Sequence, residues 1–284
     1  MRMNAPKLLL TLGLVTDIHY ADAKPRINRY YRESLSKLDE AAKALREKKV
    51  ALAVSLGDMI DAGEKADAAT ELEFLKRIDE VFAGMATERH YVLGNHCVAT
   101  LKKQEFLATV HKKGKKRSFY SLSRQGVHLI FLDACFRADG VAYGDGPFKW
   151  HDTEIPLAQR MWLEANLKKA KGPVIVFVHQ RLDTPPENRY TIKSAPEVRR
   201  ILEQSKKVSA VFMGHSHGNA QTVINGIPYL TLAAMVEGTG PENNGYSLLR
   251  IFDDGSIELE GFRKHALHPV HAKRLQPTAL AEAL

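Results

Sequence analysis

Short polar motifs follow five apolar runs of this 284-residue chain, and their side chains are of the kinds that bind metal ions and transfer protons. In chain order the motifs are Asp17-Ile18-His19, Gly57-Asp58, Gly94-Asn95-His96, His179 and Gly214-His215-Ser216-His217. Carboxylate, amide and imidazole groups together suit Mn²⁺, iron or Zn²⁺ rather than Ca²⁺, which prefers oxygen ligands alone. With two cysteines and no CxxC pair, a structural zinc site built from thiolates is not expected.

The elements that must position these motifs are strands alternating with helices. Five apolar runs are typical of buried strands, at about 8–15, 50–56, 90–93, 174–178 and 208–213. Apolar spacing of three or four predicts helices at about 28–48, 66–82, 101–111, 157–171 and from 196 onward. Taken alone, each motif could be a turn, a capped strand end or a core histidine. Because carboxyl ends of strands in open α/β sheets form the ligand crevice, all five are expected to converge.

The N-terminal apolar run at 8–15 allows two interpretations. An early basic residue and the small-residue ending Ala21-Asp22-Ala23 resemble a secretory signal peptide. A buried first strand is favoured, since cleavage would remove Asp17 and His19 from the constellation. No other segment approaches the ~18 apolar residues of a membrane span. We therefore expect a soluble, cytoplasmic protein without a membrane partner.

Composition and charge predict one globular domain over residues 1–284, with a core at about 8–262 and a C-terminal tail at 263–284. The formal net charge of +8 indicates an anionic partner. The basic run His111–Arg117 could contact nucleic acid, but a solvated helix end is favoured, so no stable nucleic-acid complex is expected. The histidines of the tail are expected at the surface, namely His265, His268 and His271. The oligomeric state stays open.

The five motifs together resemble the signature of the calcineurin-like metallophosphoesterase superfamily, over about residues 10–262. This resemblance implies an α/β (α+β) fold in which a central β-sandwich of two mixed sheets is flanked by helices, giving four layers. It also implies two divalent metal ions, Mn or Fe and possibly Zn. A hydroxide that bridges the ions would attack a phosphoester.

The same resemblance assigns a role to each motif residue. The first metal would be held by Asp17, His19 and His217, the second by Asn95, His179 and His215, and both by the bridging Asp58. His96 would act as the catalytic acid and, with Asn95, contact the phosphate. The family often has an acidic residue after Gly-Asn-His, where this chain has Cys97, expected as a small buried residue. That departure leaves open how His96 is oriented.

A finer resemblance concerns the substrate. The run Asn28–Leu35, the triplet Leu132-Asp133-Ala134 and the closing pattern from Gly226 to Glu237 are similar to the Mn-dependent ADP-ribose/CDP-alcohol diphosphatase subgroup. It implies a small phosphodiester or nucleotide diphosphate as the substrate. Arg29 and Arg32 could then bind a second phosphate, although a solvated helix face explains them equally well. Asp133 would orient a metal-binding histidine.

Other functions remain open at this point. The loop at 137–156 contains Tyr143, Phe148 and Trp150, which could stack on a base, cover the site or simply pack the loop. The same centre would also suit a cyclic-nucleotide phosphodiesterase or a phosphomonoesterase. A non-catalytic scaffold on the same fold is the alternative from another class.

Overall fold

The computed structural model describes residues 5–111 and 117–277, which form twelve strands in two six-stranded sheets, and the apolar run at the N-terminus lies inside the first sheet. In spatial order the first sheet contains β12 (Arg274–Leu275), β11 (Ile257–Arg263), β10 (Gly245–Phe252), β1 (Leu8–Val15), β2 (Leu52–Ser55) and β3 (Glu88–Tyr91). The second contains β4 (Tyr120–Arg124), β5 (Val127–Phe131), β6 (Val174–Phe177), β7 (Val208–Met213), β9 (Ile227–Thr231) and β8 (Ala220–Ile224). The N-terminal run is therefore a strand, as its residues indicated.

Helices cover the outer face of each sheet. The described helices are α1 (Ser34–Glu47), α2 (Ala68–Phe82), α3 (Lys103–Val110), α4 (Leu157–Lys169) and α5 (Ala195–Ser205). Leu38 of α1 and Ile78 of α2 join one apolar cluster on the first sheet, and Leu163 of α4 joins another on the second. A third cluster, which includes Leu12 and Phe177, fills the space between the sheets. The order helix, sheet, sheet, helix confirms the predicted four-layer fold.

The parallel strands determine where the motif residues lie. Strand β1 pairs in parallel with β2, and β2 with β3, while β6 pairs in parallel with β7. Neighbouring parallel strands have their carboxyl ends at the same edge of the sheet. The loops that follow those ends can form a binding site. This edge of the sandwich carries all five motifs.

Two expectations about the elements were wrong. Helix α1 begins at Ser34, after a 3₁₀ turn at Tyr31–Glu33, rather than near residue 28. Arg29 precedes it in extended backbone that forms a bridge with Glu237, because backbone hydrogen bonds to residues 26 and 236 hold this stretch out of the helix.

The second correction concerns the C-terminal histidines, which do not belong to a surface tail. His265 is fully buried: its Nε2 donates to the Ala233 carbonyl at 2.9 Å and its Nδ1 accepts from the Ser247 hydroxyl at 2.8 Å. A neutral imidazole with both nitrogens satisfied is readily buried. His268 is also buried and bonds to the Thr231 carbonyl, and His271 accepts from a backbone N–H of β11.

Most of the basic run singled out above, Lys112–Lys116, lies outside the described residues. Among the helices that the structure describes, none is long and apolar enough to cross a membrane.

Candidate metal centre

The five motifs meet where strands of both sheets end. Asp17 and His19 follow β1, Asp58 follows β2, and Asn95 follows β3, whereas the second sheet contributes the histidines that follow β6 and β7. Backbone hydrogen bonds join the motifs, as from the Asp17 N–H to the Gly57 carbonyl at 3.1 Å and from the His19 N–H to the Asp58 carbonyl at 2.8 Å. These two bonds hold the segment that follows β1 against the segment that follows β2.

The backbone at these loops adopts a conformation that non-glycine residues rarely adopt. Five of the candidate ligands have positive φ: Asp17 (48°), His19 (47°), Asp58 (50°), His215 (68°) and His217 (63°). Such conformations cost free energy and persist where the surrounding structure enforces them, often at functional sites. The sharp turns direct these side chains into a common space.

Glycines in the motifs leave room for this convergence. A Cβ on Gly94 would overlap the carboxylate and backbone nitrogen of Asp58, and one on Gly214 would overlap the Thr16 hydroxyl and the Asp17 carboxylate. Neither overlap could be relieved by moving a flexible side-chain end alone, since Asp58 and Asp17 are fully packed.

The candidate ligands form two adjoining groups around two buried carboxylates. Within each group, Asp17 with His19 and His217, and Asp58 with His179 and His215, potential ligand atoms lie within 4.8 Å of one another. The Asp58 carboxylate links the groups, since its Oδ2 lies 3.6 Å from His19 Nε2 and 3.0 Å from His179 Nε2. This is the placement expected of a residue shared by two ions.

Hydrogen bonds at Nδ1 orient three of these histidines. His179 donates from Nδ1 to the Leu56 carbonyl at 2.8 Å, His19 donates to Asp61 at 3.1 Å, and His217 donates to Glu237 at 2.7 Å. With Nδ1 so engaged, each Nε2 faces the carboxylates, where a metal ion could bind in place of a proton. Acceptors of this kind behind metal-binding histidines set the tautomer and strengthen the ligand.

Asp61 and Glu237 are the residues whose roles sequence reasoning missed. Asp61 lies three positions beyond Asp58 in an irregular segment, and Glu237 enters from the loop after β9. An acidic residue shortly after Gly-Asp was the available signal for Asp61. Glu237 belonged to the resemblance, but nothing in its spacing connected it with His217.

Unpartnered buried atoms test whether metal ions fit here. Within the described part of the chain, His19 Nε2, Asn95 Oδ1 and His215 Nε2 are buried without a hydrogen-bond partner. Leaving such atoms unpaired is costly, and a cation that accepts their lone pairs removes the cost. The donor set of carboxylate, amide oxygen and imidazole is one that transition-metal dications accept. The residues present therefore fit such ions.

The electrostatics of the site also fit cations. Burial disfavours the charged carboxylates of Asp17 and Asp58, yet the neighbouring histidines hold the pKa of both well below its usual range. Burial likewise opposes charge on His179 and His217, but the carboxylates raise the pKa of each to about 9. The carboxylates thus draw positive charge into the site, which protons or metal ions can supply. Burial and the nearby His179 lower the pKa of His215 to about 3, which leaves its imidazole neutral.

His96 lies at the open side of this cluster, with about a quarter of its side chain exposed (27%). Its backbone N–H donates to Asp58 at 2.8 Å, and its Nδ1 lies 3.0 Å from Asp61 Oδ1. Burial works against its charge, but Asp58 and Asp61 raise its pKa overall. Asp61 thus supplies the carboxylate that Cys97 does not.

Cys97 itself is fully buried, and its sulfur accepts a hydrogen bond from the Met59 N–H at 3.4 Å. Burial and the Asp58 charge raise the pKa of this thiol to about 12, so it stays protonated at neutral pH. A protonated buried thiol is no nucleophile. It packs beneath the loop that carries Asp58.

The predicted substrate-binding arginines separate in the structure. Arg29 reaches the site, where its guanidinium donates to Asp61 at 3.2 Å. Arg32 instead pairs with Asp22, and both of those side chains are more than half exposed. The structure does not place Arg32 within the cluster.

Asp133 is fully buried. Within the part of the chain that the structure describes, its carboxylate forms no hydrogen bond with a candidate metal-binding histidine. It accepts from the Lys103 ammonium and the Ser118 hydroxyl, each at 2.5 Å, and from the Cys135 N–H at 2.8 Å. The expected orienting role was therefore wrong for this residue. The buried Lys103 ammonium instead pairs with the Asp133 carboxylate.

The aromatic residues of the loop at 137–156 divide into two kinds. Tyr143 is buried and stacks on Phe148 with ring centres 3.8 Å apart, which is the loop packing considered above. Trp150 instead lies against the candidate ligand His215 with ring centres 5.5 Å apart. Only the latter residue belongs to the wall of the site.

Clustered imidazoles and carboxylates at the strand ends of a two-sheet sandwich are the arrangement expected of a metal-binding site. The sequence profile of the calcineurin-like phosphoesterases matches residues 10–219, and the chain belongs to this family.

Individual relatives share this architecture over most of their length. A Xenopus tropicalis protein named manganese-dependent ADP-ribose/CDP-alcohol diphosphatase is 29% identical over 90% of this chain and 92% of its own. A Fibrobacter succinogenes protein named probable cyclic nucleotide phosphodiesterase is 25% identical over 74% of each. The crystal structure of a dimetal phosphatase from Danio rerio superposes with a TM-score of 0.81 at 19% identity, covering 95% of this chain and all of that one (100%).

Proposed function

We propose that this protein hydrolyses small phosphodiesters or nucleotide diphosphates at a centre of two divalent metal ions, Mn or Fe and possibly Zn. The observation that carries the proposal is the convergence of Asp17, His19, Asp58, His179, His215 and His217, together with buried atoms of His19, Asn95 and His215 that lack protein partners.

In this proposal the two sheets share the ions. Asp17, His19 and His217 would hold one, Asn95, His179 and His215 would hold the other, and Asp58 would contact both. When bound, the two ions would supply a nucleophile from water and neutralise charge on the phosphoryl oxygens. The Nδ1 hydrogen bonds described above keep the histidine rings ready to ligate.

His96 would act as the general acid that protonates the leaving oxygen. Asp61 engages its Nδ1, so in the protonated imidazole the proton on Nε2 is the one left for transfer. Asn95 would contact the phosphate beside it. Arg29, already fixed by Asp61 at the edge of the cluster, would bind a second phosphate of a diphosphate substrate.

The name of the Xenopus tropicalis relative favours ADP-ribose and CDP-alcohols as the first substrates to test. A cyclic-nucleotide phosphodiesterase is the second candidate, which the name of the Fibrobacter succinogenes relative favours. Phosphomonoester hydrolysis would use the same residues, with Arg29 left without a role.

A substrate panel separates these activities. Protein loaded with Mn²⁺, Fe²⁺, Zn²⁺ or Mg²⁺ would be assayed with ADP-ribose, CDP-choline, cyclic AMP, a linear diester and p-nitrophenyl phosphate. We expect ADP-ribose or CDP-choline with Mn²⁺ to give the highest kcat/KM. A higher value for cyclic AMP or for the monoester would discard the diphosphatase proposal.

Two substitutions of the same kind, one in the cluster and one at the surface, test the role of Asp58. Asp58→Asn should abolish hydrolysis and reduce bound metal, whereas Asp22→Asn, at an exposed ion pair, should change neither. Inactivity towards every ester, with no metal bound after purification without chelator, would favour the scaffold alternative.

A further inference from the structure

Trp150 and Tyr190 form an aromatic wall beside the candidate metal centre. Their ring centres lie 5.5 Å and 5.6 Å from that of His215, and 5.4 Å from each other. Both rings meet the imidazole edge to face, at interplanar angles of 66° and 75°. Both rings of the wall therefore contact His215, a residue that would bind metal.

This wall is not part of the apolar interior. Among the described residues, the core clusters include Tyr143 and Phe148 from the same loop but neither Trp150 nor Tyr190, and both of the latter are partly exposed. Partly exposed aromatic rings at the rim of a polar site offer area for a ligand without completing the core.

Hydrogen bonds hold both segments of the wall in place. Just after Trp150 in the chain, the Asp152 carbonyl accepts from the Tyr143 hydroxyl at 2.7 Å and the Thr153 carbonyl accepts from the Lys193 N–H at 3.0 Å. The Arg181 N–H, two positions after His179, donates to the Tyr190 carbonyl at 3.1 Å. A surface ordered before binding loses less conformational entropy when a ligand arrives.

A cation accompanies the wall. The Arg189 guanidinium carbon lies 4.4 Å from the centre of the Trp150 ring, and the Arg189 residue is exposed. Arginine on an aromatic face retains donors for a phosphate or for the edge of a base. Planar apolar area and positive charge are thus combined within reach of the metal-binding residues.

We infer that Trp150 and Tyr190 are specificity-determining residues that stack on the nucleobase of a nucleotide-containing substrate, with Arg189 beside them. This inference rests on the proposed function, because the wall would select among phosphoesters that the centre could cleave. Stacking is tolerant of base identity, so both purine and pyrimidine nucleotides should be accepted.

AMP and ribose 5-phosphate test the inference, because they differ only by the base. Binding of each to the Mn²⁺-loaded protein would be measured by calorimetry, independently of turnover. We expect AMP to bind about 10-fold tighter or more, the range that base–aromatic stacking supplies. Trp150→Ala and Tyr190→Ala should each reduce this preference, and Tyr190→Phe should retain it.

Fluorescence gives a second readout and a matched control. The chain has two tryptophans, Trp150 and Trp162. Trp162 lies on α4 and packs against Phe119. In the Trp162→Phe variant, AMP should quench the remaining Trp150 emission, ribose 5-phosphate should not, and the calorimetric preference for AMP should be unchanged.

Equal affinities for AMP and ribose 5-phosphate would overturn the inference, as would a preference that survives both alanine variants. Failure of the proposed function is distinguishable. Base-free diesters cleaved as efficiently as nucleotides would refute the stacking wall and leave the phosphohydrolase standing. AMP preference without hydrolysis of any ester would refute the phosphohydrolase alone.

Discussion

At the scale of single residues, Asp61 links two parts of the site. One carboxylate oxygen lies 3.1 Å from His19 Nδ1 and 3.2 Å from the Arg29 guanidinium, while the other lies 3.0 Å from His96 Nδ1. A candidate metal ligand, the candidate general acid and a candidate phosphate-binding cation thus share one carboxylate. Its orientation affects all three.

Replacing Asp61 by Asn should weaken the site without removing a ligand, since an amide can accept at only one of its two polar atoms. We expect about a 10- to 100-fold loss of Mn²⁺ affinity or of kcat/KM, the usual effect of losing a group behind a ligand. Calorimetry and initial rates measure both. Asp22→Asn is the matched control, and wild-type values for Asp61→Asn would contradict the role assigned here.

The candidate ligands were predictable because each follows an apolar run whose end is visible in the sequence. Asp61 was not, because its contact with His96 spans 35 positions and depends on the path of the loop after β2. The wrong expectation for Asp133 has a similar cause. Its partner Lys103 lies 30 positions away on α3, and no local pattern joins the two.

At the scale of elements, close approach between strand ends sets the geometry of the site. The loop after β3 passes so near the loop after β2 that Gly94 has no room for a Cβ beside Asp58. Gly218, adjacent to His217, has open space where its Cβ would lie. The two glycines therefore differ in steric demand at the same site.

Gly94→Ala should displace Asp58 and prevent metal binding, whereas Gly218→Ala should retain it. Metal content after loading with Mn²⁺, together with circular dichroism to confirm folding, measures the difference. If a folded Gly94→Ala protein bound Mn²⁺ as tightly as Gly218→Ala, close packing of these loops would not be what positions Asp58.

The C-terminal segment is anchored through a buried imidazole. Burial, with nearby His268 and Lys264, lowers the pKa of His265 to about 4. Its neutral form supports folding fully above the unfolded pKa of about 6.5 and loses that contribution as pH falls towards 4. The difference corresponds to about 3 kcal/mol of unfolding free energy.

Urea unfolding between pH 7 and pH 4 tests this linkage. The His265→Gln protein should lose less stability over this range than the wild type, since its amide does not titrate and can still donate to the Ala233 carbonyl. His271→Gln, at a partly exposed position, should follow the wild type. Identical pH dependence of the His265→Gln and wild-type proteins would contradict the anchor.

The wrong start of α1 shows where periodicity misleads. The apolar spacing continues upstream of Ser34, but the Tyr30 N–H donates to the Val236 carbonyl instead of forming a helical bond. Such long-range pairing leaves no local signal. Strand ends were better predicted because each is marked by an abrupt change from apolar to polar residues.

At the scale of the whole molecule, the site joins the two sheets. The first sheet contributes Asp17, His19, Asp58 and Asn95, and the second contributes His179, His215 and His217. Ions bound between them would connect the sheets where like-charged carboxylates are buried together. Metal binding should therefore stabilise the fold as well as the site.

Thermal unfolding should show this coupling. At 100 times its Kd, Mn²⁺ should add about 2.7 kcal/mol per binding site to the free energy of unfolding. For a chain of this size, that raises Tm by several degrees. Asp58→Asn should respond less, and an unchanged wild-type Tm on adding Mn²⁺ or chelator would count against ions between the sheets.

The most direct test of the central claim is the stoichiometry of metal binding, measured together with hydrolysis. Metal-free protein would be titrated with Mn²⁺ by calorimetry while ADP-ribose and CDP-choline hydrolysis is assayed in parallel. We predict two ions per chain, with activity that follows occupancy of both sites and is lost in Asp58→Asn. Saturation at one ion or fewer, or hydrolysis that persists after chelation, would contradict a two-metal phosphohydrolase.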